Sequence, residues 1–302
     1  MSTNPAIKEG FILSDSKFQT LKLVPEPHCP RCFKILPGEK STHVLQKMKE
    51  KGIVFPIILK PDIGFRGLLV HKVNDKKGLS SLLTTLNVAY LLQEYIAYPL
   101  EIGIFYYRFP NEKTGHIPSI TIKEFLKVRG DGQATLEELV SRNPRAILQR
   151  VRLRRIFKES WECIVPKEEE LILEPIGNHN RGTKFVNGEQ EYDENLQKVF
   201  DTLSHQMKGF YFGRFDIRAA SVEALKKGKE FYILEVNGVG AEPTHIYDPE
   251  YKLFNAWKEL LLLWRIVWRI ASINRREGVT FPSFSEGKHR WDTFKRYKQA
   301  LR

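Results

Sequence analysis

The sequence predicts an α+β or mixed α/β protein in which short strands, some in hairpin-like antiparallel pairs, alternate with packed amphipathic helices. Three observations point there. Apolar, β-branched runs of strand length recur between glycine and proline turns, segments of helical periodicity lie among them, and several strand-like runs follow one another at hairpin spacing. With 302 residues, 42% hydrophobic and 28% charged, the chain can bury one large core or two small ones, and a disordered protein is excluded.

Up to residue 40, prolines at 25, 27, 30 and 37 interrupt any helix, and an irregular leader is expected. Ser41 and Thr42 then cap a helical run that Gly52 stops. IVFPIILK (53–60) reads as a strand, PDIGFRG breaks it, and LLVHKV (68–73) resumes it. Residues 75–86 have helical spacing, and VAYLLQEYI, EIGIFYYRF and HIPSITIKEFLKV follow as strands, the last the longest. Residues 134–161 read as helical, with seven basic residues and no acidic one between Arg142 and Lys158. Strands at 170–176 and 183–186 flank the polar loop GNHNRG, an amphipathic helix covers 193–208, and FYFGRFDIRAA and EFYILEVNG close the fold as strands. The apolar stretch 253–271 holds Lys258, Glu259, Arg265 and Arg269, which makes it a helix and not a membrane span. Its Trp257, Trp264 and Trp268, with Leu261 between, are expected to face the core.

Lys and Arg outnumber Asp and Glu 48 to 36, and the resulting +12 admits nucleic acid, anionic lipid or a polyanionic small molecule as partner. No interleaved aromatic and basic pattern marks a nucleic-acid module, so nucleic acid is not expected. Residues 251–302 hold twelve basic and four acidic side chains, which makes peripheral membrane contact through the Trp-rich helix and basic tail a secondary expectation. Three cysteines are too few for a disulfide framework, and MSTNPAIKEGF lacks the basic start and apolar run of a signal peptide. A cytoplasmic location is expected, with the inner face of a membrane as its variant. Cys29 and Cys32, in HCPRC, form half a zinc site at best. Nothing in the sequence sets the oligomeric state.

Asp216, Glu235 and Asn237 are hard oxygen donors on strand-like segments, the kind of set that Mg²⁺ takes. Asp216 and Arg218 share one strand face and Glu235 and Asn237 the next, so adjacent antiparallel strands would gather all four. Two ordinary salt-bridged strands account equally for these residues. Lys60 ends an apolar strand before a loop with Gly64 and Gly67, which let backbone N–H groups approach a phosphate that the ammonium neutralises. Neither a Walker A sequence nor GxGxxG is present. The weight lies in the order: lysine and glycine loop, QEYI, Glu101 on a strand, then the Asp/Glu/Asn group.

In FPIILKPDIGFRG (55–67), LLQEYIAYPLEIG (91–103), GRFDIR (213–218) and FYILEVNGVGAEPTHIYDP (231–249) the sequence resembles the ATP-grasp superfamily, and within it the D-alanine–D-alanine ligase-like carboxylate–amine ligases. The resemblance covers residues 40–275. It implies an ATP-grasp fold, two α+β subdomains gripping ATP between them: a leader (1–40), a small lid subdomain (41–101), a large subdomain with the metal site (102–275) and a basic tail (276–302). Lys60, with Asp62, Gly64, Arg66 and Gly67, would hold the triphosphate under a flexible lid. Gln93, Glu94 and Ile96 would form the adenine hinge, and Glu101 would accept from the ribose hydroxyls. Asp216, Glu235 and Asn237 would hold one or two Mg²⁺ ions, for which Mn²⁺ would substitute. Arg214, at the ligases' GRxD arginine, would stabilise an acyl phosphate or tetrahedral intermediate, with Arg218 beside it. The implied reaction is ADP-forming: a small-molecule carboxylate takes the γ-phosphoryl group, and an amine or similar nucleophile displaces phosphate. The alternatives are a kinase on the same scaffold and a non-catalytic nucleotide-binding protein at a membrane surface.

The sequence also departs from that pattern. Its glycine loop reads GFRG where D-alanine ligases carry small serines, so Arg66 is expected to reach a phosphate or an acidic substrate, and D-alanine is disfavoured. Where those ligases open with a whole N-terminal domain, about forty irregular residues stand here. GNHNRG lies where the substrate-side loop would sit, and His179 and Arg181 would orient a carboxylate or act as acid/base and anion clamp. A solvated Asn/Gly turn is the competing account. Lys123 either faces the nucleotide or lies exposed on its strand.

Overall fold

The computed structural model describes residues 2–7, 15–64 and 67–301. Among its described residues, the stretch expected as an irregular leader contains a helix, a 3₁₀ turn (Glu26–His28) and a strand. Ser16 caps helix α1 (Lys17–Leu21) by accepting from the Gln19 N–H, and after the proline-rich turn comes strand β1 (Cys32–Ile35). This strand fits between Pro30 and Pro37, and its alternate residues Phe33 and Ile35 are buried.

β1 joins β2 (Ile57–Pro61), β3 (His71–Val73) and β4 (Tyr90–Glu94) in an antiparallel sheet of order β1-β4-β2-β3. One face carries α2 (Ser41–Glu50) and α3 (Lys76–Leu83) over a core that includes Phe33, Val44, Leu59, Leu79 and Leu92. Period-two alternation sends the intervening residues Cys32, Lys60, Leu91 and Gln93 to the other face. That face meets the second unit.

The second unit is a five-stranded antiparallel sheet, order β11-β10-β5-β6-β9, formed by β5 (Leu100–Tyr107), β6 (His116–Glu124), β9 (Lys184–Asn187), β10 (Phe212–Ala219) and β11 (Phe231–Asn237). Helices α6 (Glu194–Gln206) and α7 (Val222–Lys226) cover one face, where Leu196, Phe200, Leu203, Phe215 and Leu225 are buried. The expected class, α+β with antiparallel sheets and packed helices, is the one observed.

The strand expected over HIPSITIKEFLKV is two strands. Beyond Glu124 the chain leaves the large sheet, and β7 (Leu126–Arg129) pairs with β8 (Glu170–Glu174), because Leu126 and Val128 belong to a separate core with Leu136, Val140, Leu153 and Trp161. The helix expected over 134–161 is likewise broken. α4 (Leu136–Arg142) stops before Pro144, which holds Asn143 extended at ψ 117, and α5 (Arg150–Ile156) starts afresh.

Helix α8 (Leu253–Arg276) corrects a further expectation. Trp257, Trp264 and Trp268 are 58%, 45% and 69% exposed, so they face solvent, not the core. The face packed on Phe105, Phe109 and Phe212 carries Leu263, Ile266 and Ile270 instead. Apolar residues surround most of this helix, and periodicity cannot rank two apolar faces. Among the described residues no helix is long and apolar enough to cross a membrane. In the basic tail, α9 (Phe284–Ala300) forms behind a capping box of Ser283 and Glu286. It returns to the first unit, where Leu301 is buried and Tyr297 packs beside it.

Candidate active site

The two sheets face each other across a cleft of about 670 Å³. From the large sheet, the register sets Arg214 opposite Asn237 and Asp216 opposite Glu235. On the other side of β10, Asp216 stands opposite Gly103 and Arg218 opposite Glu101. Gly103 matters for its size: a Cβ there would lie 3.6 Å from Asp216 Oδ1 and 3.5 Å from the Thr244 hydroxyl, so any longer side chain would crowd the carboxylate.

Asp216 is the hub. It accepts from Lys123 Nζ at 2.9 Å, from Arg214 Nε and Nη2 at 3.2 and 3.1 Å, and from Asn237 Nδ2 at 2.9 Å. Burial alone would raise its pKa, but Arg214 and Lys123 hold it well below the usual carboxylate range. Lys123 also reaches Glu101 Oε1 at 3.0 Å, and Arg218 Nε donates to Glu101 Oε2 at 2.9 Å. Arg218 then spends its remaining donors on the carbonyls of Tyr98 (2.9 Å) and Pro175 (2.7 Å), which ties the segment before β5 to the one after β8.

From the small sheet, Lys60 Nζ donates to Gln93 Oε1 and to the Leu234 carbonyl, both at 3.0 Å. Gln93 Nε2 reaches the same carbonyl at 3.3 Å, so both units meet at the centre of β11. Burial lowers the Lys60 pKa, against the pull of Glu235. Glu235 pairs with Lys17 at 3.3 Å. Although burial would raise its pKa, Lys17 and Lys60 keep it lowered.

Nearly all residues named from sequence line this cleft: Lys60, Gly64, Gly67, Gln93, Glu94, Ile96, Glu101, Lys123, His179, Arg214, Asp216, Arg218, Glu235 and Asn237. Two do not line it. Asp62 is buried away from it, accepting from Ser16 Oγ at 2.9 Å and the Phe18 N–H at 3.0 Å, with Lys34 Nζ at 2.9 Å; it anchors α1 and does not line the cleft. Arg181 donates to the carbonyls of Gly67 (2.7 Å) and Val70 (2.9 Å), so it latches the GNHNRG turn to the glycine hairpin. Arg66 lies outside the described residues.

The GNHNRG turn packs tightly because it is built on glycine. A Cβ on Gly177 would fall 2.1 Å from Glu101 Oε1, so only a glycine lets this backbone pass over the carboxylate. His179 lies between the rings of Phe185 and Tyr247, at 5.3 and 5.7 Å. Burial and the nearby Arg145 lower its pKa, which favours the neutral imidazole.

Sequence reasoning missed Lys17, Tyr247 and Arg31. Lys17 follows a capping serine, but nothing local says that its ammonium enters a cleft closed by residues two hundred positions away. Arg31 grips Glu94 through its backbone N–H (2.6 Å) and its Nε (2.8 Å), a contact set by the β1–β4 register.

Asp216, Glu235 and Asn237 offer only oxygen donors toward a cation, and on neighbouring strands they fit Mg²⁺ if phosphate oxygens and water complete its shell. Among the described residues no group of three or more His, Cys, Asp or Glu could hold a metal by itself.

A scan against protein-family models finds no match, and a search of curated proteins finds none. Among solved structures the chain is similar to D-alanine–D-alanine ligase from Bacillus anthracis complexed with ATP, at 14% identity and TM-score 0.47, covering 87% of this chain and 68% of that one. It is also similar to a bifunctional glutathione synthetase from Pasteurella multocida, at 13% identity and TM-score 0.41, over 83% of this chain. A third is the ATP-grasp ligase PsnB complexed with minimal precursor, at 10% identity and TM-score 0.43, covering 82% of this chain and 60% of that one. The chain spans 36% of the glutathione synthetase's length. At these identities the likeness concerns fold alone.

Proposed function

We propose that this chain is an ATP- and Mg²⁺-dependent ligase of the ATP-grasp type that activates a small-molecule carboxylate as an acyl phosphate and joins it to an amine or similar nucleophile. One observation carries the reading. Lys60 on one sheet and Asp216, Glu235 and Asn237 on the other converge on a single cleft, cation facing an oxygen-rich group, with Lys60 donating to the backbone of the strand that bears Glu235.

In this reading Lys60 and Lys17 meet the triphosphate, Lys60 being fixed by Gln93 and the Leu234 carbonyl. Tyr95, Ile96, Val70 and Ile176, all on the cleft wall, would flank the base. Asp216, Glu235 and Asn237 would hold Mg²⁺, which supplies charge neutralisation at the phosphates. Lys123 and Arg214 keep Asp216 ionised. Arg214, on the cleft wall, stabilises charge building on the acyl phosphate or the tetrahedral intermediate. Neutral His179, on the cleft wall, would take the proton from the incoming amine. Most of the work is positioning and electrostatics.

Calorimetry with Mg²⁺ and ATP on wild type and Lys60→Ala tests it. Micromolar binding lost in the variant, followed by carboxylate- and amine-dependent release of ADP and free phosphate, is expected. A stable phosphorylated product would make the protein a kinase on this scaffold, and no binding at millimolar ATP would overturn the nucleotide reading.

We also propose a peripheral contact with anionic membrane. Phe254, Trp257, Leu261 and Trp268 are 58% to 75% exposed on one side of α8, beside exposed Lys258, Arg265 and Arg269. A second copy docked on this side would oppose like charges. Co-sedimentation with phosphatidylglycerol-rich vesicles, abolished by Trp257→Ser with Trp268→Ser, is expected; equal recovery with neutral vesicles would count against it.

A further inference from the structure

The cleft carboxylates described so far are each held by a cation: Glu101 by Lys123 and Arg218, Asp216 by Lys123 and Arg214, Glu235 by Lys17, and Glu94 by Arg31. Glu242 lines the same cleft and differs, because its carboxylate forms no salt bridge among the described residues. Its Oε2 accepts from the Tyr247 hydroxyl, and its backbone carbonyl accepts from Arg214 Nη1 at 2.9 Å. Arg214 gives Nε and Nη2 to Asp216, so it meets Glu242 at the peptide and not at the carboxylate.

The segment that carries Glu242 and Tyr247 is pinned along its length. The Ala241 N–H closes a turn onto the Gly238 carbonyl at 2.9 Å, and Thr244 Oγ1 donates to Thr121 Oγ1 at 3.0 Å. Buried His245 bridges Ser119 Oγ at 2.6 Å and Glu259 Oε2 at 3.0 Å, and the Asn187 N–H donates to Asp248 Oδ2 at 2.7 Å. Binding groups on backbone so fixed are preorganised. Tyr247 in turn packs beside His179, with 5.7 Å between ring centroids, so carboxylate, phenol and imidazole follow one another along one wall of the cleft.

We propose that Glu242 and Tyr247 form a subsite for a positively charged group on the amine substrate, so that the acceptor is a diamine or an amino compound bearing a second basic group. The acceptor's role rests on the ligase reading above; the ammonium subsite does not. One nitrogen, uncharged, attacks the acyl phosphate: its C–N bond forms, the C–O bond to phosphate breaks, phosphate leaves, and the nitrogen's proton passes to His179. The second nitrogen stays protonated, pairs with Glu242 Oε1, and lies beside the Tyr247 ring, whose hydroxyl already touches that carboxylate. A neutral acceptor would leave Glu242 unpaired and an acidic one would set like charges together, so both are disfavoured.

Calorimetry with cadaverine tests the subsite without ATP or a donor carboxylate. The net charge of +12 repels a dication, so saturable binding marks a local site. Cadaverine is expected to bind, more weakly at high salt, and its uncharged diol analogue is not. In Glu242→Gln the Kd should rise about tenfold or more. The glutamine amide oxygen still accepts from Tyr247, so a Glu242 that served only to hold that ring would leave the Kd unchanged. An unchanged Kd, or no binding of cadaverine by the wild type, overturns the subsite. With a donor carboxylate identified by phosphate release, kcat/KM should favour cadaverine over pentylamine about a hundredfold, and Glu242→Gln should bring the two close to parity. Equal use of both amines by the wild type would overturn the acceptor assignment. If the protein binds no ATP, the ligase reading fails while cadaverine binding still decides the subsite.

Discussion

Asp216 and Glu235 are both carboxylates expected at a cation, yet their surroundings predict different losses. Asp216 is buried against Lys123 and the half-buried Arg214, so Asp216→Asn takes the shared countercharge from both and leaves Lys123 only Glu101, a loss on the order of 3 kcal/mol. Glu235 pairs with Lys17 at 3.3 Å and its side chain is 28% exposed, so Glu235→Gln should leave the fold nearly as stable as wild type. Turnover should fall at least a hundredfold in both. Thermal unfolding beside phosphate release separates the cases: a clear drop in Tm for Asp216→Asn and little for Glu235→Gln. An active Glu235→Gln protein would remove Glu235 from the chemistry.

Elements were legible where a residue's neighbours in sequence determine its environment. The alternation around Asp216 and Glu235 gave strand, face and partner strand together, and the family resemblance supplied most of the other residues that line the cleft. Legibility failed where a choice between two partners was made elsewhere in the chain. HIPSITIKEFLKV continues as one strand by pattern, but its last residues are claimed by another core. The stripe of α8 is apolar on both sides, and Phe105 and Phe212 select the side without tryptophan. Asp62 precedes the glycine loop as a phosphate-side residue would, yet α1 takes it. The latch is an element-scale feature of the same kind. Arg181 joins the turn after β8 to the carbonyls of Gly67 and Val70, two charge-assisted bonds worth roughly 1.5–3 kcal/mol each. Arg181→Ala should raise the ATP Kd about tenfold with a smaller change in kcat, measured by calorimetry and steady-state kinetics. A changed kcat at unchanged Kd would instead put Arg181 at the reacting groups.

At the scale of the whole molecule, each sheet has a core of its own on one face, and among the described residues three of the links between the units differ in where they lie. Lys60 and Gln93 meet the Leu234 carbonyl, Arg181 meets the glycine hairpin, and α9 runs back from the large unit to the small one. The first two lie in the cleft itself, where a ligand would compete with them or remake them. The third lies outside: Leu301 is buried in the small core, and the Tyr297 hydroxyl accepts from the Ile63 N–H at 3.3 Å, directly behind the loop that follows Lys60. It therefore steadies β2 from the side away from the ligand. Removing residues 279–302 should cost the small unit more than the large one. Hydrogen exchange should speed up in β2 and β3 and stay unchanged in β5 and β10, and ATP affinity should fall by an order of magnitude or more. Tyr297→Phe with Leu301→Ala should reproduce the effect in weaker form within the full chain. Uniform loosening of both sheets would mean instead that the cores fold as one cooperative unit and that α9 holds the whole molecule and not the small unit alone.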